Sequence, residues 1–417
     1  MKAIILIACF AALVTTKYTN YKVYRVIPYN VFQRSHVFGL EGINGIEFWP
    51  QKNNYEIDIE VSPQLNDEFI SYLTERQVPY SILIDDLQTF LDLENPNKPS
   101  NCTKKHKFNF YRYNSYKDIV KYLHHLQKKY PNITNVTTIG PSYEKRNVTM
   151  IKISSGGSNK PTILIDGGIH AREWVAPASV VYFIHQLVEN QTNHYMFENI
   201  DWYIIPMVNP DGYEFSRASL NNVYWRKTRS RSNSTDCIGV DANRNFDVHW
   251  MESGSSDDPC KITYAGPEPF SEVETRNLKG VVESLGNCTK LYLTFHAFGP
   301  LILYPWGYNT DLPNDWATLD KLGRDVSKAI YSVKGTNFTV GTSARKTYPA
   351  AGGSDDWIKA VGGVNLSYTI ELPPGGSRGF NPLTSNIRGI AEEAFEGVRV
   401  YHAYVEKNFE GNCTRRI

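Results

Sequence analysis

The sequence predicts an α/β chain in two parts. A small α+β open sandwich of ferredoxin-like type precedes a large domain built on a mixed, mostly parallel sheet sandwiched by helices. Three observations carry this. Between Tyr21 and Asp85, strand-like and helix-like stretches follow the order strand–helix–strand–strand–helix–strand, which is the split β-α-β arrangement. After Phe108, continuous apolar runs of strand length alternate with helical periodicity, the pattern of strands covered on both faces. Between the two, ENPNKPSNCTKKHK (Glu94–Lys107) is polar, holds two prolines and ends in Lys104, Lys105 and Lys107. That composition suits an exposed linker open to a trypsin-like protease.

The chain starts with Met1-Lys2, then AIILIACFAALV, then Thr15 and Thr16. A positive start, a short apolar stretch and a small-residue exit make residues 1–16 a secretory signal peptide. The stretch is too short for a bilayer, which needs roughly 20 apolar residues. YKVYRVIP reads as a strand and a helix-length stretch follows. GIEFWP and YEIDIEV are strands, LNDEFISYLTERQ is a helix, and YSILID is the fourth strand. No cluster of catalytic residue types falls in this part. Residues 17–105 therefore form a non-catalytic module, globular over about 20–93 with the linker behind it. In the remainder, 106–417, SYKDIVKYLHHLQKKY and VAPASVVYFIHQLVEN have helical periodicity. PTILIDGG, IDWYIIPMVNP, KLYLTFHAF and NLSYTIELP read as buried strands.

Composition narrows the class. Lys+Arg total 44 against 43 Asp+Glu, a net charge of +1 without a basic block, and this excludes a general nucleic-acid binder. The 41% hydrophobic and 13% aromatic content excludes a mostly disordered chain. Ten N-x-S/T triplets between Asn101 and Asn412 agree with a secreted glycoprotein. Of six cysteines, Cys9 leaves with the signal. Cys102, Cys237, Cys260, Cys288 and Cys413 then face an oxidising compartment, with one unpaired or intermolecular. Cys237 and Cys260 would close a loop of about twenty residues, worth roughly 3 kcal/mol in the chain-entropy model. None has C-x-x-C spacing, so they are staples rather than metal ligands.

In doubly covered sheets, functional groups collect at the carboxyl ends of strands. PTILIDGG runs into His170-Ala171-Arg172-Glu173, LYLTF into His296, and NLSYTI into Glu371. An imidazole and a carboxylate three residues apart, past a glycine pair, can converge on one ion, with His296 as a third ligand. Two His and one carboxylate leave a tetrahedral position open, as in hydrolytic zinc sites. Glu371 closes an apolar strand before Pro373 and Pro374. Buried there, it is either paired with an arginine or able to take a proton from water and pass it to a leaving amine.

GGIHAREW, YWRKTRS, GVDANRNF, the Cys237 and Cys260 pair, GGSDDW and TIELP, in this order, resemble the pancreatic-type zinc procarboxypeptidases over nearly everything after the signal. The resemblance implies the carboxypeptidase fold, an activation propeptide over 17–105 and a catalytic domain over 106–417. It also implies one Zn2+ per chain held by His170, Glu173 and His296, and a Cys237–Cys260 disulfide. Glu371 matches the glutamate that activates the attacking water, and Arg229 the arginine that polarises the scissile carbonyl. Asn243 and Arg244 match the pair that grips the substrate's terminal carboxylate. Tyr348 matches the tyrosine that closes over substrate, and Arg172 a peptide-subsite arginine.

Within GGSDDW, Asp356 matches an acid common to the family, so Asp355 falls at the position that sets specificity. An Asp there is the B-type pattern, favouring C-terminal Lys or Arg, unless a neighbour such as Lys359 neutralises it. The expected protein is a secreted, extracellular zymogen of the digestive type, a monomer. Its partners are peptides and proteins with a free C-terminus, an activating trypsin-like protease and protein inhibitors, with no nucleic acid and no membrane. The propeptide is expected to block the cleft until the linker is cut. The alternatives are A-type or mixed specificity, and an inactive peptide-binding homologue. Two departures stand out: Phe298 where the family often has tyrosine, and Cys288 with Cys413, expected to bridge the chain end to the start of the His296 strand.

Overall fold

The computed structural model describes residues 18–40, 43–48, 56–87, 108–219, 222–232, 235–375, 379–409 and 413–415. The signal segment, the linker lysines and Cys102 lie outside them. The chain divides into two compact units, Met1–Asn95 and Pro96–Ile417.

The first unit carries β1 (Lys22–Val26), α1 (Val31–Phe38), β2 (Ile46–Phe48), β3 (Ile57–Val61), α2 (Asn66–Glu75) and β4 (Tyr80–Ile84). The strands pair in the order β2-β3-β1-β4, all antiparallel. Helix α1 starts where the Asn30 side chain accepts from the Gln33 N–H at 2.8 Å, satisfying one of the free first-turn donors. Tyr24, Val26, Ile57, Ile59, Val61, Phe69 and Leu73 close the core between sheet and helices. Arg25 neutralises the buried Asp58 of the neighbouring strand through two 2.8 Å contacts.

In the second unit come α3 (Tyr116–Lys129), β5 (Thr134–Pro141), β6 (Asn147–Ile153), β7 (Thr162–Gly167), α4 (Val175–Glu189), β8 (Asp201–Ile205) and α5 (Pro210–Ala218). Then follow α6 (Val273–Leu285), β9 (Thr289–Ala297), β10 (Leu301–Tyr304), α7 (Trp316–Lys334) and β11 (Thr339–Thr342). The short α8 (Ser343–Lys346), α9 (Ser354–Ala360), β12 (Leu366–Leu372) and the long α10 (Thr384–Asn408) complete it. The eight strands run β11-β10-β12-β9-β7-β8-β6-β5. Pairs β10/β11, β12/β9, β7/β9 and β7/β8 are parallel, and β10/β12, β6/β8 and β5/β6 antiparallel. The sheet is therefore mixed and mostly parallel, with the parallel run β12, β9, β7 and β8 in the middle. All six residues of β7 are buried, as strands covered on both faces require. Helices α6 and α9 bury Leu278, Val281, Val282, Trp357 and Ile358 against one face. Helix α10 packs on α4 and on α7, and all three pack on the sheet.

The outer strands β5, β6, β10 and β11, two at each side of the sheet, are additions to the sequence reading. β5 is polar and half exposed, the apolar run of β6 is interrupted by Thr149 and Lys152, and β10 and β11 are only four residues long. Cys237–Cys260 and Cys288–Cys413 are both disulfides. The second ties the chain end to the foot of β9, where Thr414 N–H donates to Asn287 Oδ1 at 2.6 Å and Arg415 pairs with the buried Asp201.

Candidate metal and peptide site

The central strands deliver their side chains to one edge because they run parallel and lie side by side. Glu371 is the Cα partner of His296 across β12/β9, and Asp166 that of Thr294 across β7/β9. Past β7 the backbone turns at Gly168, with φ +68 and an added Cβ only 2.5 Å from Met207 Sδ; glycine is required there on both counts. The turn releases His170 and Glu173 just before α4.

His170 Nδ1 lies 2.7 Å from Glu173 Oε1, and His296 Nδ1 lies 3.1 Å from both Glu173 Oε2 and His170 Nδ1. These ligand atoms all lie within 4.8 Å of one another, and all three residues are buried. Two imidazole lone pairs and a carboxylate pointed at one another in a dry site are the donor set for a divalent metal. Burial works to raise the Glu173 carboxyl, but the His170 and His296 imidazoles outweigh it and hold it far below the usual range. Behind this group, His170 Nε2 faces Asp241 Oδ1 at 3.3 Å, and Ala297 N–H donates to Glu173 Oε2 at 3.1 Å. Such outer contacts orient ligands. Glu371 Oε2 is buried without a hydrogen-bond partner among the described residues. Burial pushes this carboxyl up to about 7, against the downward pull of His296, a value suited to exchanging protons near neutrality.

The two arginines of WRKTRS lie in different places. Arg229 does not reach this group: its guanidinium stacks 3.5 Å from Phe215 and 4.7 Å from Trp225, with Glu144 at 3.6 Å. Arg226, three residues earlier, lies beside the ligands instead, with Nη1 3.9 Å from Glu173 Oε1 and Nη2 2.8 Å from Asp241 Oδ2. The motif WRKTRS offers two arginines, and spacing cannot choose between them. Asp241, within GVDANRNF, is the other residue the sequence reading missed. Burial tends to raise its carboxyl, but Arg226 and Arg244 carry it well below the usual range.

The other expected residues gather nearby. Arg244 Nη2 donates to the Tyr348 hydroxyl at 3.0 Å, and Asn243 Oδ1 accepts from Ser354 N–H at 2.9 Å. Tyr348 is half exposed. Arg172 lies 4.0 Å over the Phe380 ring, which packs edge-on against Phe298 at 4.8 Å; apolar edge-to-face packing takes over where a tyrosine would carry a hydroxyl. Asp355 is 6% exposed. Its Oδ2 accepts from Thr369 Oγ1 at 3.1 Å and Ser343 Oγ at 3.3 Å. Lys359, the neighbour that could have neutralised it, is taken by Asp315 Oδ2 at 2.8 Å and Asn365 O at 2.7 Å.

Comparison with known proteins agrees with this arrangement. The zinc carboxypeptidase family model matches residues 119–397, and the carboxypeptidase activation peptide model matches 24–94. The chain therefore belongs to the zinc carboxypeptidase family, in its procarboxypeptidase form with an activation peptide. It is 44% identical over 299 residues to carboxypeptidase B of Astacus astacus, covering 71% of this chain and 98% of that one. It is 33% identical to zinc carboxypeptidase A 1 of Drosophila melanogaster, covering 92% and 91% of the two chains. The crystal structure of thrombin activatable fibrinolysis inhibitor superposes with a TM-score of 0.86 at 26% identity, over 94% of this chain and all of that one. The family's metal is zinc, and the His170, Glu173 and His296 donors fit it.

Proposed function

We propose that this is a secreted zymogen whose trimmed form removes Lys or Arg from the C-terminus of peptides. The observation that carries the B-type reading is Asp355, buried with only hydroxyl partners and no cation among the described residues. A carboxylate held that way favours a cationic side chain entering the pocket and penalises an apolar one, which leaves the charge unpaired. Arg244 and the Asn243 amide bind the terminal carboxylate, a fork that confines the enzyme to chain ends. Tyr348 follows the substrate by exchanging its contact with Arg244.

One zinc ion per chain at His170, Glu173 and His296 supplies Lewis acidity and a more acidic water. Glu371 takes a proton from the attacking water as its oxygen adds to the carbonyl carbon. When the C–N bond breaks, Glu371 returns that proton to the leaving amine. Arg226, in place of Arg229, offers an always-charged donor to the carbonyl oxygen as negative charge develops. The protein acts outside the cell as a monomer after a trypsin-like protease cuts the linker. A bovine relative is known in complex with a tick carboxypeptidase inhibitor, which supports protein inhibitors as further partners.

Relatives named carboxypeptidase A match over similar spans, so the pocket acid must be tested directly. The trimmed enzyme should cleave peptides ending in Arg or Lys at least tenfold faster, in kcat/KM, than the same peptides ending in Phe or Leu. Equal or reversed rates would assign it A-type or mixed specificity, and no release of any terminal residue would leave only a peptide-binding role.

A further inference from the structure

A fully buried chain of hydroxyls lies below the carboxylate-binding residues, and none of its members meets substrate. Asp166 and Tyr292 are inaccessible to solvent, as are Thr294 and Ser354. The Tyr292 hydroxyl is 2.6 Å from Asp166 Oδ2 and 3.1 Å from Ser354 Oγ. Thr294 Oγ1 donates to Asp166 Oδ1 at 2.7 Å. The directions follow from proton inventory. An ionised carboxylate can only accept, so the one phenolic proton goes to Asp166, and the Ser354 hydroxyl must donate to the Tyr292 oxygen. Ser354 opens α9, the helix that also presents Asp355. Its backbone N–H donates to Asn243 Oδ1 at 2.9 Å. A backbone N–H cannot accept, so this bond also decides the amide's orientation: Oδ1 is engaged and Nδ2 is left as the donor.

We propose that Tyr292, braced by Asp166, is a positioning residue for recognition of the substrate's terminal carboxylate, acting through Ser354 to hold the Asn243 amide with its NH2 toward the ligand. This rests on the carboxypeptidase reading above. The structural logic is burial: no water can replace a missing partner in this network, so loss of one hydroxyl is passed along it instead of being healed. Strand β7, which leads into His170 and Glu173, and strand β9, which carries His296, are thereby tied to the helix that carries the pocket acid. One rigid frame then registers the reacting bond against the chain end.

The experiment compares the trimmed wild-type enzyme with Tyr292→Phe, Asn243→Ala and the double variant on a peptide and its C-terminal amide, with bound zinc measured in each. Tyr213→Phe is the control. It also deletes a buried phenolic hydroxyl, one that donates to Asn114 O at 2.8 Å, away from this network. Tyr292→Phe should raise KM for the free-acid peptide about three- to tenfold, the value of one hydrogen bond, with kcat and zinc content near wild type. In the Asn243→Ala background it should add nothing further, since both act through one amide. Additive effects, a fall in kcat without a rise in KM, or a KM shift matched by Tyr213→Phe would each overturn the proposal. A wild-type enzyme that fails to prefer the free acid over the amide would instead overturn the carboxypeptidase reading itself.

Discussion

Arg226 grips Asp241 through both Nε, at 2.9 Å, and Nη2, at 2.8 Å, while the other oxygen of that carboxylate lies 3.3 Å from His170 Nε2. One buried acid thus connects the cation proposed for the carbonyl oxygen to a proposed metal ligand. Replacing Arg226 by Ala should lower kcat by about two to three orders of magnitude, the usual cost of losing a transition-state donor. It should also loosen the metal, because Asp241 is left unpaired beside His170. Arg226→Lys should recover only part of the loss, lacking the planar fork. Arg229→Ala should leave kcat within about twofold, since Arg229 stacks on Phe215 and Trp225 and faces Glu144, away from the ligand group. Steady-state kinetics with zinc titration checks this, and the reverse ranking of the two arginines would restore the sequence-based assignment.

Glu371→Gln keeps the shape of the strand end but cannot take up a proton. Turnover should fall by orders of magnitude while zinc content and peptide affinity stay near wild type. Single-turnover rates and equilibrium binding of a peptide separate the two effects. Near-normal turnover would remove Glu371 from the mechanism.

Asp355→Asn retains both hydroxyl contacts and deletes the charge. Its kcat/KM for peptides ending in Arg or Lys should drop by about tenfold or more, and its rate on Phe- or Leu-terminated peptides should rise. Since Lys359 is occupied by Asp315, Lys359→Met should leave the preference unchanged. A basic preference that survives Asp355→Asn would move the specificity determinant elsewhere in the pocket.

Much of this was legible from chemistry-bearing strand ends. His170, Glu173, His296 and Glu371 follow continuous apolar runs, and such runs can only be central strands, so their termini share an edge. Edge strands carry no such signal. β5 reads TNVTTIGP and is half exposed, and its polarity hid it among the loops. Arg226 and Arg229 fail to separate for another reason: they sit in an irregular segment whose path depends on the Cys237–Cys260 loop and Gly239, where an added Cβ would be 2.1 Å from Thr228 O. Side-chain direction there is a tertiary property that neither propensity nor period encodes. The Asp166–Tyr292–Ser354 network was invisible because each member reads locally as an ordinary strand or helix-start residue.

The Cys288–Cys413 bridge closes a separation of 125 residues and holds Arg415 on the buried Asp201. A loop of that length implies up to about 5 kcal/mol of stabilisation in the chain-entropy model. The Cys288→Ala/Cys413→Ala double variant should therefore unfold at a Tm lower by about 5 °C or more, with kcat/KM at 25 °C little changed because the bridge lies at the opposite end of β9 from His296. Calorimetry on the trimmed enzyme is the check. An unaltered Tm would show that the docked tail and helix α10 suffice to hold that end of the sheet.

Glu274 gives the stability a pH dependence of predictable sign. It is 1% exposed, Oε1 accepts from Tyr143 N–H at 2.9 Å, and Oε2 has no hydrogen-bond partner among the described residues. Burial raises its carboxyl from 4.5 to about 7, and the carboxylates of Glu272 and Asp211 add to the rise. Below the unfolded value both states are protonated and its contribution is complete. As pH climbs, the unfolded chain releases this proton first, so stability falls until the folded group also ionises near pH 7 and is level beyond that. The total is on the order of 3 kcal/mol. Glu274→Gln removes the titration but keeps an acceptor for Tyr143. Denaturant unfolding from pH 4 to 9 should therefore show the variant equal to or less stable than wild type at acid pH and more stable above neutrality, with the curves crossing between. A gap between the two proteins that stays constant across this range would mean that Glu274 ionises alike in both states, and that its buried oxygen is satisfied by solvent.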